Sequence, residues 1–530
     1  MNGFSGSSRR KKKILDAFGQ AKKGYFLFKL ISSYHEQTQP EAKPEDDRLA
    51  TDLDMDELFM YLDRTTSRVG QQALYARLRQ VNKTTTAFER QEALIDHFKA
   101  NPQDQEGAIL SLHQLSEPES YYIASLLKEE YLKEPGWFWV VKVLGYLAMA
   151  SVLAIIIMPK LWLIVFAFLG VNLIIHYWNK RNLYEYAVSI PELIKLIKVA
   201  RKLPQFGVVP TPTQAAAIDK LQGLSGSLQI FRLEKGIQSE LSQFAELFIE
   251  LIRAYFLIEP LSLYKALDKL EKHKPEISQV LRYVGDADIS LSTMAIREQT
   301  EVWCKPHFVN TRQLQLQAVY HPLIINAVAN TINLAEQSVF LTGSNMSGKS
   351  TFMRTIGVNA LCAQTLNTSF SKQYSAPRFC LNSAMRIADD LMSDTSYFFQ
   401  EVLAIKSMLV NENNADFNLF LLDELFKGTN TLERVASGRA ILEYLHSPQN
   451  LVIIASHDME LAERLQPDYA SFHFTEQIKD DQIHFDYLLK AGKLTNTNAI
   501  SILEINGFPA DVTQAARAFV SEARDTLGKK

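Results

Sequence analysis

The chain has 530 residues and a formal net charge of −3. A chain of this length forms roughly two to four domains with sizeable cores. The nearly balanced charge argues against a protein whose whole surface binds nucleic acid. The three cysteines, Cys304, Cys362 and Cys380, are too few and too scattered for a disulfide framework or a cysteine-ligated zinc site.

Residues 1–50 form a polar segment that starts with a basic run, Arg9 to Lys13, and ends in a stretch rich in proline and acidic residues. A basic run of this kind is typical of a solvated tail, and the alternative is a contact with anionic lipid or nucleic acid. Residues 51–135 have apolar residues at helical spacing and are predicted to form the first part of a helical core.

Residues 136–180 are predicted to form a transmembrane helical hairpin. The stretch 137–158 contains one charge, Lys142, and would rise roughly 33 Å as a helix, similar to a hydrocarbon core of about 30 Å. A second apolar stretch, 161–178, follows after a short break. Tryptophan favours the membrane interface, and four of the five tryptophans lie near the ends of this hairpin: Trp137, Trp139, Trp162 and Trp178.

The alternative is a buried helical hairpin in a soluble core, although a core helix of this length normally keeps a polar stripe. If both helices cross, the segments before and after the hairpin lie on one side. Lys128 and Lys133 before the hairpin, with Lys180 and Arg181 after it, indicate that this side is the cytoplasm. We therefore expect attachment to the cytoplasmic (inner) membrane through residues 137–178, with the remainder in the cytoplasm.

Residues 181–305 again show helical spacing and are predicted to form the second part of the helical core. After about residue 306 apolar strands alternate with helices, which predicts an α/β domain over residues 306–485. Residues 486–530 complete the chain. The sequence thus indicates a helical region that the hairpin interrupts and that precedes an α/β domain.

The motif that carries chemistry is Gly343–Ser350, which fits the phosphate-binding pattern G-x-x-x-x-G-K-[ST]. A strand-like stretch precedes it and a helical stretch follows it, so its backbone N–H groups would wrap phosphates at a helix N-terminus. Lys349 would reach the β- and γ-phosphates of ATP and Ser350 would ligate Mg²⁺. The predicted nucleotide-binding residues are Gly343, Ser344, Asn345, Met346, Ser347, Gly348, Lys349, Ser350 and Thr351.

Two further strand ends are predicted to complete the site. The apolar stretch "NLFLLDEL" ends in Asp423, which suits the Mg²⁺ contact, and Glu424, which suits polarisation of the attacking water. The stretch "LVIIASHD" brings His457 to the end of a third strand, where it would sense the γ-phosphate or orient the water. Lys349, Glu424 and His457 are therefore the predicted catalytic residues, and Ser350 and Asp423 the predicted metal ligands.

These residues resemble the MutS family of DNA mismatch-repair ATPases. "TGSNMSGKST" is similar to that family's P-loop, with Ser344 where proline is usual, and "LLDELFKGTNTLE" is similar to its acid pair and the following Gly-Thr turn. "RIADDLMSDTSYFFQE", with Ser396 and Glu401 in place, resembles its signature segment, and "ASHDMEL" its switch histidine. "YHPLI" and "VANTINL" resemble the segment that enters the nucleotide site.

The resemblance extends beyond the nucleotide site. The segment with Thr65, Thr66 and Gly70 resembles the opening of the family's lever domain, and "VGDADISLSTMA" resembles its end. Residues 486–530 resemble its C-terminal helix-turn-helix dimerisation segment. The resemblance implies a homodimer with composite sites, in which Ser396 of one subunit approaches the γ-phosphate held by Lys349 of the other.

The expected fold class is an α/β P-loop ATPase of ABC type, MutS-like, preceded by an all-α lever region that a two-helix transmembrane hairpin interrupts. The family's mismatch-recognition domain and clamp are expected to be absent. The expected function is a membrane-anchored, dimeric ATPase whose levers act in DNA binding or repair-related DNA metabolism. Alternatives are an ATP-switched membrane tether or scaffold for an unknown protein partner, and a transporter ATPase, which the missing Leu-Ser-Gly-Gly-Gln signature disfavours.

Overall fold

The computed structural model divides the chain into two compact units. The helical unit comprises Met1–Ala42, Leu62–Arg77 and Thr86–Ile296, and the α/β unit comprises Lys43–Tyr61, Leu78–Thr85 and Arg297–Lys530. Residues 43–61 thus group with the α/β unit although they precede the hairpin in the sequence. The structure describes residues 2–39, 44–80, 85–128, 131, 134–158, 160, 162–182, 184–228, 240–344, 346–386, 397–411, 417–426, 429–479, 482–494 and 499–527.

The helical unit consists of α-helices joined by short 3₁₀ helices, as the helical spacing of its apolar residues predicts. A large cluster of buried apolar side chains from most of these helices forms its core, and Phe138, Val141 and Leu257 form a smaller cluster. The helices are α1 (Asn2–Ala17), α2 (Phe28–Ile31), α3 (Ser33–Thr38), α6 (Arg68–Leu78), α7 (Thr85–Ala100), α8 (Pro102–Leu112), α9 (Trp139–Ile157), α10 (Trp162–Asn182), α11 (Tyr184–Lys202), α12 (Pro212–Leu228), α13 (Glu240–Tyr255), α14 (Ile258–Glu271) and α15 (Lys274–Gln299).

A buried carboxylate, Asp288 of α15, joins the two parts of the predicted helical core. It accepts hydrogen bonds from the backbone N–H groups of Thr66 (2.8 Å) and Ser67 (2.7 Å) and from the Ser67 hydroxyl (2.5 Å). These donors precede α6, more than two hundred residues earlier in the chain. Hydrogen bonds to a charged group stabilise by about 1.5–3 kcal/mol each, so the two sequence segments that resemble the lever domain are held together directly.

The predicted hairpin forms two helices, α9 and α10, with an unusual distribution of polarity. Large apolar side chains on both helices are exposed, including Tyr146, Leu153, Phe166 and Ile174. The polar side chains Ser151 and Asn172 are buried instead. The Ser151 hydroxyl lies 2.6 Å from the Tyr255 hydroxyl, and the Asn172 amide donates to the Tyr255 carbonyl at 2.6 Å.

The predicted membrane-spanning character of the hairpin is not supported. Within the part of the chain that the structure describes, no helix is both long and apolar enough to cross a membrane. Helix α9 begins at Trp139 and has 19 residues, so it rises about 29 Å, less than the longer helix expected from residues 137–158. Helix α10 has 21 residues, and its last turn contains the polar residues Asn179–Asn182.

The α/β unit contains a six-stranded sheet in the order β12-β9-β4-β8-β7-β6, a four-stranded sheet in the order β1-β5-β2-β3, and a hairpin of β10 and β11. In the six-stranded sheet only β12 is antiparallel. The strands are β1 (His307–Phe308), β2 (Leu314–Val319), β3 (Asn330–Leu334), β4 (Ser338–Thr342), β5 (Gln373–Ala376), β6 (Cys380–Ala384), β7 (Asn418–Asp423), β8 (Asn450–Ala455), β9 (Tyr469–His473), β10 (Glu476–Lys479), β11 (Gln482–Phe485) and β12 (Lys490–Ala491).

Within the described residues, eight helices accompany these strands, and a cluster of buried side chains between helices and sheet forms the core. They are α4 (Pro44–Asp52), α5 (Met55–Leu62), α16 (Lys349–Leu366), α17 (Tyr397–Asn411), α18 (Thr431–Leu445), α19 (Met459–Arg464), α20 (Ala499–Ile505) and α21 (Ala510–Leu527). The continuous apolar runs of β4, β7 and β8 are buried, as expected for parallel strands covered on both faces.

The close approach of Gly70 to Asp288 generates a stability prediction. A Cβ at Gly70 would lie 2.1 Å from the Asp288 Oδ2 atom, which its hydrogen bonds hold in place. We expect Gly70→Ala to lower the free energy of unfolding by about 1–3 kcal/mol through overpacking, measured by urea denaturation followed by circular dichroism.

The matched control is Gly223→Ala in α12, where an added Cβ meets no atom within 4 Å. Alanine should leave stability unchanged there or raise it by up to about 1 kcal/mol, because it favours the helix. Equal effects of the two substitutions would contradict the tight packing of Gly70 on Asp288.

Candidate nucleotide-binding site

The predicted P-loop connects β4 to α16, as its flanking sequence indicates. Gly343 and Gly348 have φ angles of +147° and +106°, a region that glycine adopts without steric cost. A Cβ at Gly343 would lie 2.8 Å from both the Phe474 carbonyl oxygen and the Ser347 hydroxyl. The loop is therefore compact, and Gly348 brings the backbone N–H groups of the first turn of α16 to its mouth.

Lys349 is the first residue of α16 and is buried. Its ammonium group donates to the carbonyls of Gly343 (2.7 Å) and Ser344 (2.8 Å). These bonds fold the Lys349 side chain back over the P-loop and hold its ammonium group inside the loop. An anionic group that enters the loop would meet this charge together with the helix N-terminus.

Ser350 and Asp423, the two predicted metal ligands, lie in direct contact. The Ser350 hydroxyl donates to Asp423 Oδ2 at 2.5 Å. A hydroxyl oxygen and a carboxylate oxygen that lie side by side are the kind of hard oxygen ligands that Mg²⁺ prefers. The donor set of this structure therefore fits Mg²⁺.

Glu424 and His457, two of the predicted catalytic residues, also meet. His457 Nε2 lies 3.2 Å from Glu424 Oε1; the Glu424 side chain is partly buried and the His457 side chain is exposed. The Glu424 N–H donates to the Ala455 carbonyl at 2.9 Å, which fixes the end of β7 against the end of β8. Glu424 has a φ of +54°, so its backbone takes a left-handed conformation that aims the side chain away from the path of the strand.

A cavity of about 640 Å³ adjoins these residues. Its lining includes Ser344, Met346, Gly348, Lys349, Ser350, Thr351, Asp423 and Glu424 from the sequence prediction. Apolar residues with no individually predicted site role also line the cavity: Ile324, Ile325, Val328, Phe474 and Tyr487. Ile325 is 90% exposed, so apolar surface is available at the mouth of the cavity for a flat ligand group.

Hydrogen bonds across the sequence shape this apolar side of the cavity. Asn330 accepts a hydrogen bond from the Leu489 N–H (2.7 Å) and donates to the Tyr487 carbonyl (3.0 Å). Asn330 belongs to "VANTINL", which resembles the segment that enters the nucleotide site, but nothing in the local sequence marks Tyr487. His321 also lines the cavity, and burial lowers the pKa of its imidazole, which favours the neutral ring.

Glu401 has a structural role that its place in the signature segment does not reveal. Its carboxylate, on α17, is buried and accepts a hydrogen bond from the Phe426 N–H at 2.5 Å. Phe426 also has a left-handed backbone, with a φ of +61°. Glu401 therefore stabilises the turn that directly follows Glu424.

The remaining predicted residues differ in how the structure places them. The Ser347 hydroxyl donates to the Ser344 carbonyl (2.8 Å), and the Ser344 hydroxyl donates to the buried Glu476 (2.7 Å). Met346 and Thr351 are exposed. Asn345 and Ser396, together with residues 387–396 of the signature segment and Gly428 of the Gly-Thr turn, lie outside the described residues.

Comparison with known proteins supports the interpretation of this unit. Residues 339–524 match the family model MutS domain V. The DNA mismatch repair protein MutS of Aquifex pyrophilus is 29% identical over 57% of this chain and 35% of its own length. The protein of the same name from Thermus thermophilus is 27% identical over 48% of this chain and 31% of its own length. That from Geobacillus kaustophilus is 24% identical over 50% of this chain and 30% of its own length.

The chain thus spans about a third of the length of the curated relatives it matches. The mixed sheets and the match to domain V fit an ATPase-like α/β domain. The matched domain and these relatives therefore show that residues 339–524 are similar to MutS domain V and that about half of the chain is similar to MutS proteins.

Proposed function

We propose that the chain binds and hydrolyses ATP at the P-loop of its α/β unit. The observation that supports this proposal is the convergence of Lys349, the Ser350–Asp423 pair and Glu424 around one cavity. His457 does not line the cavity but contacts Glu424. Lys349 exchanges its contacts to loop carbonyls for the β- and γ-phosphates. Glu424 accepts a proton from the attacking water, and His457 orients Glu424 or the water.

Ser350 and Asp423 would hold Mg²⁺, directly or through water. The metal ion would neutralise charge on the phosphate oxygens when bound. Within this site the hydroxyl and the carboxylate keep their oxygens at one point, while Lys349 supplies a positive charge on the other side of the P-loop. The apolar residues at the cavity mouth, Ile325 and Tyr487 among them, offer faces against which a nucleotide base packs.

The proposed working form is a homodimer in which Ser396 of each subunit reaches the nucleotide held by the other. ATP binding and hydrolysis then move the helical unit, whose two sequence segments Asp288 fastens together. The similarity to DNA mismatch repair proteins favours DNA as what the moving helices engage. The second candidate is an ATP-switched tether or scaffold for a protein partner.

We also propose that the hairpin helices α9 and α10 attach the chain to the cytoplasmic membrane, with the α/β unit in the cytoplasm. What supports this is their exposed apolar surface, which carries tryptophans at the helix ends: Trp137, Trp139, Trp162 and Trp178 are each about half exposed. Water disfavours a contiguous apolar surface of this kind, and a lipid interface accommodates it.

Removal of the Lys349 ammonium tests nucleotide binding. We expect Lys349→Ala to weaken ATP binding by roughly tenfold to hundredfold, because each lost bond to a charged group costs about 1.5–3 kcal/mol. Equilibrium titration with a fluorescent ATP analogue and Mg²⁺ measures the change. Lys372→Ala, at an exposed lysine of the same unit, is the control, and equal affinity of the two variants would contradict the assignment.

Glu424→Gln tests the proposed base. The amide keeps the shape of the side chain but cannot accept the proton, so we expect the hydrolysis rate to fall by about 10²–10⁴-fold while ATP binding persists and ATP-bound dimers accumulate. Steady-state turnover and light scattering measure the two effects. Turnover equal to that of the exposed control Glu443→Gln would remove Glu424 from the catalytic step.

Charged substitutions on the hairpin test the membrane attachment. We expect the wild-type chain to remain with membranes through salt and carbonate washes. The double variant Leu153→Asp, Ile174→Asp should move to the supernatant, because an ionised carboxylate in hydrocarbon costs about 2.5–3.5 kcal/mol. Val209→Asp, at another exposed apolar residue of the helical unit, should stay bound. Wild-type protein in the wash would disprove the attachment.

A further inference from the structure

The helical unit contains a second cavity, of about 350 Å³, between the N-terminal segment and the turn that precedes α6. None of its lining residues belongs to the candidate nucleotide site. Its lining comprises Ile14, Ala17, Phe18, Gly19, Gln20, Lys22, Lys23, Gly24, Tyr25, Phe26, Arg64, Thr65, Thr66, Arg68, Gln71, His113, Ser116 and Tyr121. All of these residues lie in the part of the chain that the structure describes.

The lining is strongly basic in a chain whose net charge is negative. Lys22, Lys23, Arg64 and Arg68 line the cavity, and none of the lining residues is acidic. Lys22 pairs with the buried Asp63 behind the wall, at 2.8 Å. A second buried carboxylate, Asp288, accepts a hydrogen bond from the backbone N–H of the lining residue Thr66. Two buried carboxylates therefore lie behind a lining that itself contains four cationic side chains and no acidic one.

The basic run of the sequence extends this charge. Arg9 to Lys13 lie on helix α1 and are exposed, while Ile14, Leu15 and Phe18 of the same segment pack against the core of the helical unit. The run is therefore not the solvated tail that its composition suggests. The run forms a fixed basic surface on α1, and the C-terminal end of α1 lines the cavity. Basic surfaces of this kind attract polyanions.

An aromatic side chain stands beside the lysines. Tyr25 is fully exposed and follows Gly24, whose φ of +121° turns the chain outward. A fully exposed tyrosine next to Lys22 and Lys23 gains nothing from the protein core. The combination of backbone-binding cations with an exposed aromatic ring is typical of surfaces that hold phosphates and stack bases.

We infer that this cavity binds single-stranded nucleic acid, with phosphates at Lys23, Arg64 and Arg68 and a base stacked on Tyr25. The inference rests on the proposed action on DNA and adds where the strand binds. Arg64 is only 8% exposed and lies inside the cavity. A flexible strand can insert a phosphate that far, whereas the flat surface of an anionic bilayer cannot.

Lys23→Glu and Tyr25→Ala in the full chain test the inference, with fluorescence anisotropy of labelled single-stranded oligothymidine across a series of salt concentrations. We expect Lys23→Glu to weaken binding about tenfold and to reduce the salt slope by about one, since one phosphate contact is lost. Tyr25→Ala should weaken binding about fivefold or more, because stacking contributes about 1–3 kcal/mol per base.

Lys265→Glu, which makes the same charge change at an exposed lysine of α14, and Tyr444→Ala, at an exposed tyrosine of α18, should bind as the wild type does. ATP turnover should be unchanged in Lys23→Glu. Equal oligothymidine affinity of Lys23→Glu and Lys265→Glu would overturn the inference, and continued ATP turnover in that case would leave the proposed ATPase standing. A Lys23→Glu defect confined to vesicles that contain phosphatidylglycerol would also overturn it in favour of a lipid headgroup.

Discussion

The candidate nucleotide site depends on the register of strand β8. Ala455 pairs with Leu341 of β4 on one side and with Asp423 of β7 on the other. Its carbonyl accepts the Glu424 N–H, and the following Ser456 N–H donates to the Leu341 carbonyl. A slip of one residue would turn every side chain of β8 to the opposite face. It would also separate His457 from Glu424, so the buried apolar run of β8 specifies the contact between these two residues.

Because the site is built at the ends of strands with a fixed register, the sequence could predict the residues that stand at those ends. Lys349, Ser350, Asp423, Glu424 and His457 each stand where a strand ends or a helix begins, and the local sequence defines those positions. Parallel strands then bring their carboxyl ends to one edge without further information. The predicted residues consequently meet, even though they come from three separate stretches of the chain.

Contacts between distant segments with no local motif escaped prediction. Tyr487 reaches the cavity because Asn330, more than 150 residues away in the sequence, donates to the Tyr487 carbonyl and accepts from the Leu489 N–H. Glu401 supports the turn after Glu424 through a single backbone N–H. The basic run was interpreted from its charge alone, whereas the apolar residues just after it dock α1 on the core. In each case the decisive information is the position of a remote partner.

The outward and inward faces of the hairpin helices could likewise not be predicted from the sequence. The composition of the hairpin predicts apolar helices, but not which side chains face outward. Tyr255 of α13 draws Ser151 of α9 and Asn172 of α10 inward through its hydroxyl and carbonyl. Buried polar groups need hydrogen-bond partners, so these bonds help to orient both helices, together with the buried apolar side chains of Phe138 and Val141. Other large apolar side chains of α9 and α10 are exposed. The exposed apolar surface of the two helices supports the proposed attachment to lipid, independently of whether the helices are long enough to cross a bilayer.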